Sequence, residues 1–305
     1  MNIEDYFLAK SVYENNENIT SALKKHLGLK KNSYEIIEIA YDLQAGEYSK
    51  KAEVNQVFYN NRAQEVFQFI DANIKHIESM LDVGSGELTM FARVASNMSF
   101  NSNIKLFATD ISLSRLVVGR KSLTPSFEII KKINLVVADT AKLPFVTNGI
   151  DLIITDHSLE PNGGRLKELL RECFRVARRY CVFVEPSNAL QSAEGLKRME
   201  SLGYIFDLEK NVVNLGGRIV ARHTTVNNYN EMNKSEMLLV EVPRANLDKI
   251  YIKDELPYAY PGTDYKLRRT GDLLVNEQSG FVFPILHNVP LLLEKNRILF
   301  SKFNF

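Results

Sequence analysis

The sequence is poor in cysteine and has no long apolar run. Cys173 and Cys181 are the only cysteines among 305 residues, which excludes a disulfide framework and argues against a structural zinc site. No apolar run approaches the ~18 residues that cross a bilayer, and the first twenty residues lack the apolar core of a secretory signal. We therefore expect no metal and no membrane partner, and we expect a cytoplasmic location.

The chain also lacks an excess of charge of either sign. Lys and Arg number 38 against 37 Asp and Glu, for a net charge of +1. A protein that mainly coats nucleic acid has a strongly basic face, so this balance does not favour nucleic acid as a partner, although a local basic groove remains open. The length suggests about two domains, and the 45% hydrophobic content is ordinary for a globular protein.

The first 77 residues read as helical. Apolar residues recur at a spacing of three to four in VFYNNRAQEVFQFIDANIKHI (57–77), which predicts an amphipathic helix. We interpret YDLQAGEYS (41–49), broken at Gly46, as a polar and aromatic loop. Such a loop either closes over a ligand as a lid or is an ordinary helix connection.

Short apolar runs alternate with helical patterns from residue 78 onward. This alternation predicts βαβ units and a parallel sheet. After a further helix, residues 212–229 and 235–243 look like an antiparallel β-ribbon, and residues from 244 onward are rich in turn signals. The prediction is three domains: residues 1–77, 78–243 and 244–305. The predicted buried strands are ESMLDV (78–83), IKLFATD (104–110), INLVVAD (133–139), DLIITD (151–156) and YCVFVEP (180–186).

The string LDVGSGELT (81–89) predicts a strand, a tight turn and a helix start. Gly84 and Gly86 suit a turn where the backbone approaches a ligand closely, as at the carboxyl edge of an open α/β sheet. A dinucleotide-binding turn would have a third glycine at position 89, which is Thr89.

Three acidic residues follow the next predicted strands. Asp110 ends the second strand, where a carboxylate can accept both hydrogen bonds of a ribose diol. Asp139 ends the third, where it either meets an adenine amine or caps the following turn. Asp156 ends the fourth. Three acids in register with a glycine turn indicate a nucleoside-like ligand.

The chain resembles the class I S-adenosylmethionine-dependent methyltransferases of methyltransferase type 11. The segments that carry the resemblance are LDVGSGELT, FATDIS, VVADTAKLPF, ITDHSLEP and VFVEP. The resemblance spans about 78–187. It implies an α/β fold: a Rossmann-like sheet of parallel strands with an antiparallel end, here with a helical N-terminal segment and a small β-rich C-terminal domain. It implies S-adenosyl-L-methionine as cofactor and S-adenosyl-L-homocysteine as product.

The resemblance also implies roles for particular residues. Asp82 would order the glycine turn, Asp110 would bind the ribose hydroxyls, and Asp139 would meet the adenine amine. Glu87 would contact the cofactor or cap the following helix. The implied cofactor-binding set is Asp82, Gly84, Ser85, Gly86, Asp110, Ile111, Asp139, Thr140 and Asp156.

Four more residues are candidates near this set. Tyr48 and Arg62 could contact the methionine carboxylate, for which a bidentate arginine is well suited. His157 is a candidate general base because its ordinary pKa lies near neutrality, and Glu160 is a second. The alternative for His157 is a structural, hydrogen-bonded histidine.

The tail has a second resemblance, to the zinc-ribbon-related domain that activates certain tRNA and translation-factor methyltransferases. No cysteine follows Cys181, so packing would have to hold such a domain together. The matching residues are Phe283, Pro284, Ile285, Val289, Pro290 and Leu291.

The expected function is methyl transfer to an oxygen or nitrogen nucleophile of a small molecule, such as a sugar or another metabolite. One alternative keeps the chemistry and takes tRNA or a protein as acceptor. Another is a methyltransferase-like scaffold that binds without catalysis. The sequence leaves open whether the chain forms a homo-oligomer.

Overall fold

The computed structural model describes residues 2–98, 104–243 and 256–302. Within these ranges the chain forms ten α-helices and twelve strands. The helices are α1 (Ile3–Glu14), α2 (Ile19–Leu27), α3 (Tyr34–Leu43), α4 (Glu47–Val54), α5 (Gln56–Asn73), α6 (Phe91–Asn97), α7 (Leu113–Leu123), α8 (Leu166–Val176), α9 (Ala193–Leu202) and α10 (Leu208–Asn214). The strands are β1 (Ser79–Val83), β2 (Lys105–Asp110), β3 (Ile133–Val137), β4 (Ile150–Asp156), β5 (Ala177–Pro186), β6 (Arg218–Thr224), β7 (Ser235–Glu241), β8 (Arg268–Thr270), β9 (Leu273–Asn276), β10 (Phe281–Leu286), β11 (Val289–Pro290) and β12 (Ile298–Leu299).

Seven strands form the central sheet, in the order β3-β2-β1-β4-β5-β7-β6. The first five strands are parallel to one another, while β7 lies antiparallel between β5 and β6. Every residue of β1 is buried because helices cover both faces of the sheet, which explains the continuous apolar runs of the sequence. The predicted Rossmann-like sheet with an antiparallel end is confirmed.

Two apolar layers pack against the faces of this sheet. One contains Phe107, Phe183 and the inward stripe of α8, in which Leu166, Leu169 and Cys173 recur at helical spacing. The other packs α5, α6 and α7 on the opposite face. Cys173 and Cys181 are free and buried, and burial raises the pKa of both thiols.

The helical N-terminal segment is confirmed, but the interpretation of residues 41–49 as a loop is wrong. Residues 41–43 complete α3 and residues 47–49 begin α4, so that residues 44–46 alone connect the helices. Gly46 permits this short connection because its φ of +100° lies in the left-handed region.

The prediction of β-structure from residue 212 also needs correction. Residues 212–214 end the helix α10, and β6 begins at Arg218. Leu208 and Val212 are both buried four residues apart, so this short apolar run follows the helical period. The rest of the predicted ribbon is present as β6 and β7.

The tail forms a small antiparallel sheet of β8 to β12 that packs on the edge of the central sheet. Leu291 pairs with Val137 at the end of β3, and the N–H of Leu292 donates to the Val137 carbonyl at 2.9 Å. Phe283 and Leu292 are buried in the same apolar cluster as Phe107. Packing therefore holds the tail in place. Residues 244–255 of the predicted third domain lie outside the described residues, and the resemblance to a zinc-ribbon-related domain stays a prediction.

In the part of the chain that the structure describes, none of the helices combines the length and the apolar character of a membrane span.

Candidate functional site

A cavity of about 490 Å³ lies at the carboxyl ends of β1 to β4. Loops after neighbouring parallel strands meet at this edge, so residues far apart in the sequence share one site. Twelve of the thirteen residues that we proposed from the sequence line the cavity, and Gly86 lies beside it. The twelve are Tyr48, Arg62, Asp82, Gly84, Ser85, Asp110, Ile111, Asp139, Thr140, Asp156, His157 and Glu160.

The glycine turn is shaped by neighbouring side chains of the protein. Gly84 and Gly86 have φ angles of +74° and +54°. A Cβ atom on Gly84 would overlap the side chain of Ser158, and one on Gly86 would overlap the guanidinium of Arg115. Backbone conformation and packing therefore both favour glycine at these positions.

Asp110 fixes the turn from the end of β2. Its Oδ2 accepts a hydrogen bond from the Gly86 N–H at 2.8 Å, and its Oδ1 accepts one from the Ser112 N–H at 2.9 Å. Each carboxylate oxygen has two acceptor sites, so the carboxylate keeps capacity for further donors. The Nη1 of Arg115 lies 3.9 Å from Oδ2.

Arg115 is a prominent residue of the cavity that the sequence reading missed. Its guanidinium is stacked between two rings, at 4.8 Å from the centroid of Tyr41 and 4.6 Å from that of Tyr48. The charge of Asp110 raises the pKa of this guanidinium against the opposing effect of burial. Its Nε atom is buried without a hydrogen-bond partner among the described residues. The sequence carries no signal for this role beyond a position five residues after Asp110.

Asp82 lies at the base of the cavity, where it is 6% exposed. Burial, with a smaller contribution from the nearby charges of Asp156 and Asp110, raises the pKa of its carboxyl to about 7. The Ser85 hydroxyl donates to the Asp82 carbonyl at 3.0 Å, which ties the turn to the end of β1.

Asp139 and Asp156 both have partners within the protein. Asp139 caps the following 3₁₀ turn through the Ala141 N–H at 3.0 Å and pairs with Arg165 at 3.0 Å. Asp139 therefore caps the following turn, which was one of the two expected roles, and it also lines the cavity.

Arg62 reaches the cavity from α5 and pairs with Asp156. Its Nη2 lies 2.9 Å from Oδ1, and its Nη1 donates to the Asn227 carbonyl at 2.9 Å. The charge of Asp156 raises the pKa of the guanidinium against the effect of burial. The carboxylate that Arg62 contacts in the structure is therefore that of Asp156, and its contact with a methionine carboxylate stays a prediction.

His157 and Glu160 form an ion pair on the turn after β4. The Nδ1 of His157 lies 2.7 Å from Oε2 of Glu160, and its Nε2 lies 2.6 Å from the Ser235 hydroxyl. Burial opposes a charge on the ring, yet the carboxylate of Glu160 raises the pKa of His157 above its ordinary value. Asn233 donates to the same Oε2 at 3.1 Å.

Glu185 organises this turn from the end of β5. Its carboxylate accepts from the N–H groups of Ser158, Leu159 and Glu160 at 3.1, 3.1 and 3.2 Å. Burial raises the pKa of Glu185 to about 7. These bonds hold His157 in the left-handed region, with a φ of +55°.

Glu87 has a partner that the sequence did not indicate. The expectation was that it contacts the cofactor or caps the next helix. It does not cap α6, and its carboxylate accepts from the N–H groups of Gly46, Tyr48 and Ser49 at the start of α4. Glu87 also lines the cavity, so its contact with the cofactor stays a prediction. Asp42 of α3 accepts in turn from the Ser112 and Ser114 hydroxyls at 2.6 and 3.0 Å. Two carboxylates thus hold α3 and α4 against the cavity.

Aromatic and amide side chains line the rest of the cavity. Phe58 and Tyr229 approach each other edge to face, with their ring centroids 5.5 Å apart, from α5 and from the connection between β6 and β7. Further lining residues of these types are Tyr34, Tyr41, Tyr59, Asn162, Tyr204, Asn228, Asn230 and Asn233.

Residues 81–184, about a third of the chain, match the family model described as a methyltransferase domain. No curated protein matches the chain. Solved structures that align with it include a magnesium protoporphyrin IX methyltransferase from Synechocystis PCC 6803 with bound SAH, at 15% identity and a TM-score of 0.48, covering 61% of this chain and 84% of that one. Another is a SAM-dependent methyltransferase from Aquifex aeolicus, at 13% identity and a TM-score of 0.48, covering 65% and 98%.

Proposed function

We propose that the protein is an S-adenosylmethionine-dependent methyltransferase that acts on an oxygen or nitrogen nucleophile of a small molecule. The observation that carries this proposal is the convergence of Asp82, Asp110, Asp139 and Asp156, from the ends of four strands, on one cavity beside a glycine turn. The methyltransferase-domain match covers β1 to β5 up to Val184 and implies S-adenosylmethionine as the cofactor.

The residues around the cavity fit this cofactor. The volume of about 490 Å³ lies within the usual range for small-molecule sites. The Nε of Arg115 and the Oγ of Ser158 are buried without a hydrogen-bond partner in the described part of the chain. Both residues line the cavity, so the site offers polar atoms to a ligand. Asp110 and Ile111 would hold the ribose and adenine, with Asp139 and Thr140 at the adenine amine. The turn at 84–86, Tyr48 and Arg115 would hold the amino-acid part.

The chemistry requires alignment more than acid catalysis. The cofactor supplies a methyl group that is bonded to a sulfonium sulfur. The leaving group is then a neutral thioether, which needs no proton. Positioning of the acceptor can contribute up to ~7–11 kcal/mol. The stacked Tyr41, Arg115 and Tyr48 side chains and the Arg62–Asp156 pair restrict the shape of the cavity.

Charge and shape support a small-molecule acceptor. The cavity is lined by six carboxylates and five Lys or Arg side chains, so it has no excess of positive charge for a polyanion. Rings and amides on its walls suit a compact acceptor with hydroxyl or amine groups, such as a sugar or another metabolite.

The test is calorimetric titration with S-adenosylmethionine and with S-adenosylhomocysteine. We expect micromolar binding of both and its loss in Asp110→Ala. The matched control is Asp272→Ala, which removes an exposed carboxylate of the tail. Screening with a radiolabelled methyl group then compares hydroxyl and amine metabolites with tRNA. An absence of binding to either compound would contradict the proposal and favour the scaffold alternative.

A further inference from the structure

The imidazole of His157 has a partner on each ring nitrogen. Nδ1 is 2.7 Å from Glu160, and Nε2 is 2.6 Å from the hydroxyl of Ser235 on β7. Ser235 is fully buried, so it cannot itself be a nucleophile toward a ligand in the cavity. A histidine base needs a free nitrogen that points at the proton it removes, and neither nitrogen of His157 is free for that purpose.

The positions of the donors and acceptors match a positively charged ring. The Ser235 hydroxyl lies 3.4 Å from the Asn233 carbonyl, to which it can only donate. Its oxygen then accepts from Nε2–H of His157, while Nδ1–H donates to Glu160. A ring protonated on both nitrogens would find an acceptor at each of them, and the Asn233 amide nitrogen, which lies 3.4 Å from Nδ1, donates to Glu160 at 3.1 Å.

We propose that Glu160 takes the proton of the acceptor in the methyl transfer proposed above, and that Ser235 is a positioning residue that keeps His157 a cation. Glu160 lines the cavity, whereas Ser235 does not. Burial and the charge of Glu160 raise the pKa of Tyr204, another residue of the cavity wall. Only the base role of Glu160 rests on the proposed function. The charge of His157 does not, because it is a property of the free protein.

The proton transfer balances simply. The O–H or N–H bond of the acceptor breaks as its proton moves to a carboxylate oxygen of Glu160. The electron pair released on the acceptor atom forms the bond to the methyl carbon, and the electrons of the sulfur–carbon bond remain on the neutral thioether. The His157 ring and the Asn233 amide orient the carboxylate before this step.

Other titratable and charged groups surround this pair. Arg62 opposes the charge of His157, while Asp156 favours it. From the remaining elements, the groups that interact with the pair are Glu185 of β5, Tyr41 of α3, Tyr48 of α4 and Tyr204 after α9. Arg198 of α9 lies against the ring of Tyr204.

The first test is the protonation state of His157 in the free protein. We expect ¹⁵N NMR at pH 7 to show protons on both ring nitrogens, with the signal assigned by its loss in His157→Asn. Ser235→Ala removes the acceptor of Nε2–H and should lower the pKa of His157 by about one unit. Ser126→Ala, at an exposed serine, is the matched control and should leave it unchanged. A neutral ring at pH 7 would overturn the proposal, and thermal unfolding shows whether each variant is folded.

The second test separates the base from its positioning partner. With the first acceptor found by the radiolabel screen, Glu160→Gln should lower kcat about 100- to 10,000-fold while S-adenosylhomocysteine binding is kept. Ser235→Ala should lower kcat about tenfold and shift the pH profile. An equal loss in His157→Asn and Glu160→Gln, with a neutral ring, would return the base role to His157. If the parent protein does not bind S-adenosylhomocysteine, the proposed function and the base role fail together, whereas the NMR result on the imidazolium is unaffected.

Discussion

The carboxylate of Glu87 accepts a hydrogen bond of 2.7 Å from the backbone N–H of Ser49, and this bond joins the glycine turn after β1 to the first turn of α4. Gly46 and Tyr48 donate to the same carboxylate. A negative charge at a helix N-terminus is favourable, and it satisfies N–H groups that the helix itself leaves unpaired. Through this contact Glu87 helps to position Tyr48 against the guanidinium of Arg115.

Loss of the Glu87 charge should loosen α4 and weaken cofactor binding. Glutamine keeps one acceptor oxygen but loses the charge, and a helix cap contributes about 0.5–2 kcal/mol. We expect Glu87→Gln to raise the dissociation constant for S-adenosylhomocysteine about tenfold and to speed proteolysis around residues 44–54. Glu47→Gln, on the outer side of the same helix turn, is the control. Unchanged affinity and unchanged proteolysis in Glu87→Gln would show that the contact is not needed.

The stacked position of Arg115 predicts that lysine cannot replace it. A planar guanidinium stacks on two rings and keeps its donors in a fixed fork, whereas an ammonium does neither. Arg115→Lys and Arg115→Met should therefore both weaken S-adenosylhomocysteine binding at least tenfold by calorimetry. Arg120→Lys, on the exposed side of the same helix, should bind as the parent does. Full affinity in Arg115→Lys would indicate that charge alone matters.

The raised pKa of Asp82 predicts a pH dependence of stability. With a folded pKa of about 7 against an ordinary value of 3.8, the folded state binds a proton that the unfolded state releases between these values. The unfolding free energy should therefore fall as pH rises from about 4 to 7, and the effect remains at higher pH. Urea unfolding at pH 5 and pH 8 should show a smaller decline in Asp82→Asn than in the parent, by at most about 3 kcal/mol, because about two pKa units at about 1.4 kcal/mol each lie between pH 5 and the folded pKa. Asp71→Asn, at an exposed position of α5, should decline as the parent does.

The shared core of tail and sheet predicts that Leu292 stabilises the whole protein. Leu292 is fully buried, and truncation of such a leucine costs about 2–5 kcal/mol. Leu292→Ala should lower the thermal midpoint in a single transition, whereas Leu286→Ala, at a side chain that is 48% exposed, should change it little. A separate early transition of the tail in calorimetry would argue that it folds independently.

Much of the fold follows from the sequence alone. Strands buried on both faces need continuous apolar residues, so β1 to β5 were recognisable without any tertiary contact. Short polar segments give less information about secondary structure. A loop was expected over residues 41–49, but residues 44–46 alone connect α3 and α4. The run at 212–214 is too short for its period to distinguish helix from strand.

The candidate site divides in the same way. Asp82, Asp110 and Asp156 could be placed from the sequence because each follows a recognisable strand, and parallel strands bring their carboxyl ends to one edge. The roles of Arg115, Glu87 and Ser235 could not be assigned, because they depend on partners that lie 38 or more residues away in the sequence. The sequence determined which chemical groups meet at the sheet edge. The tertiary structure alone decided which of them are paired, buried or charged, since hydrogen bonds and desolvation depend on distances that sequence spacing does not encode.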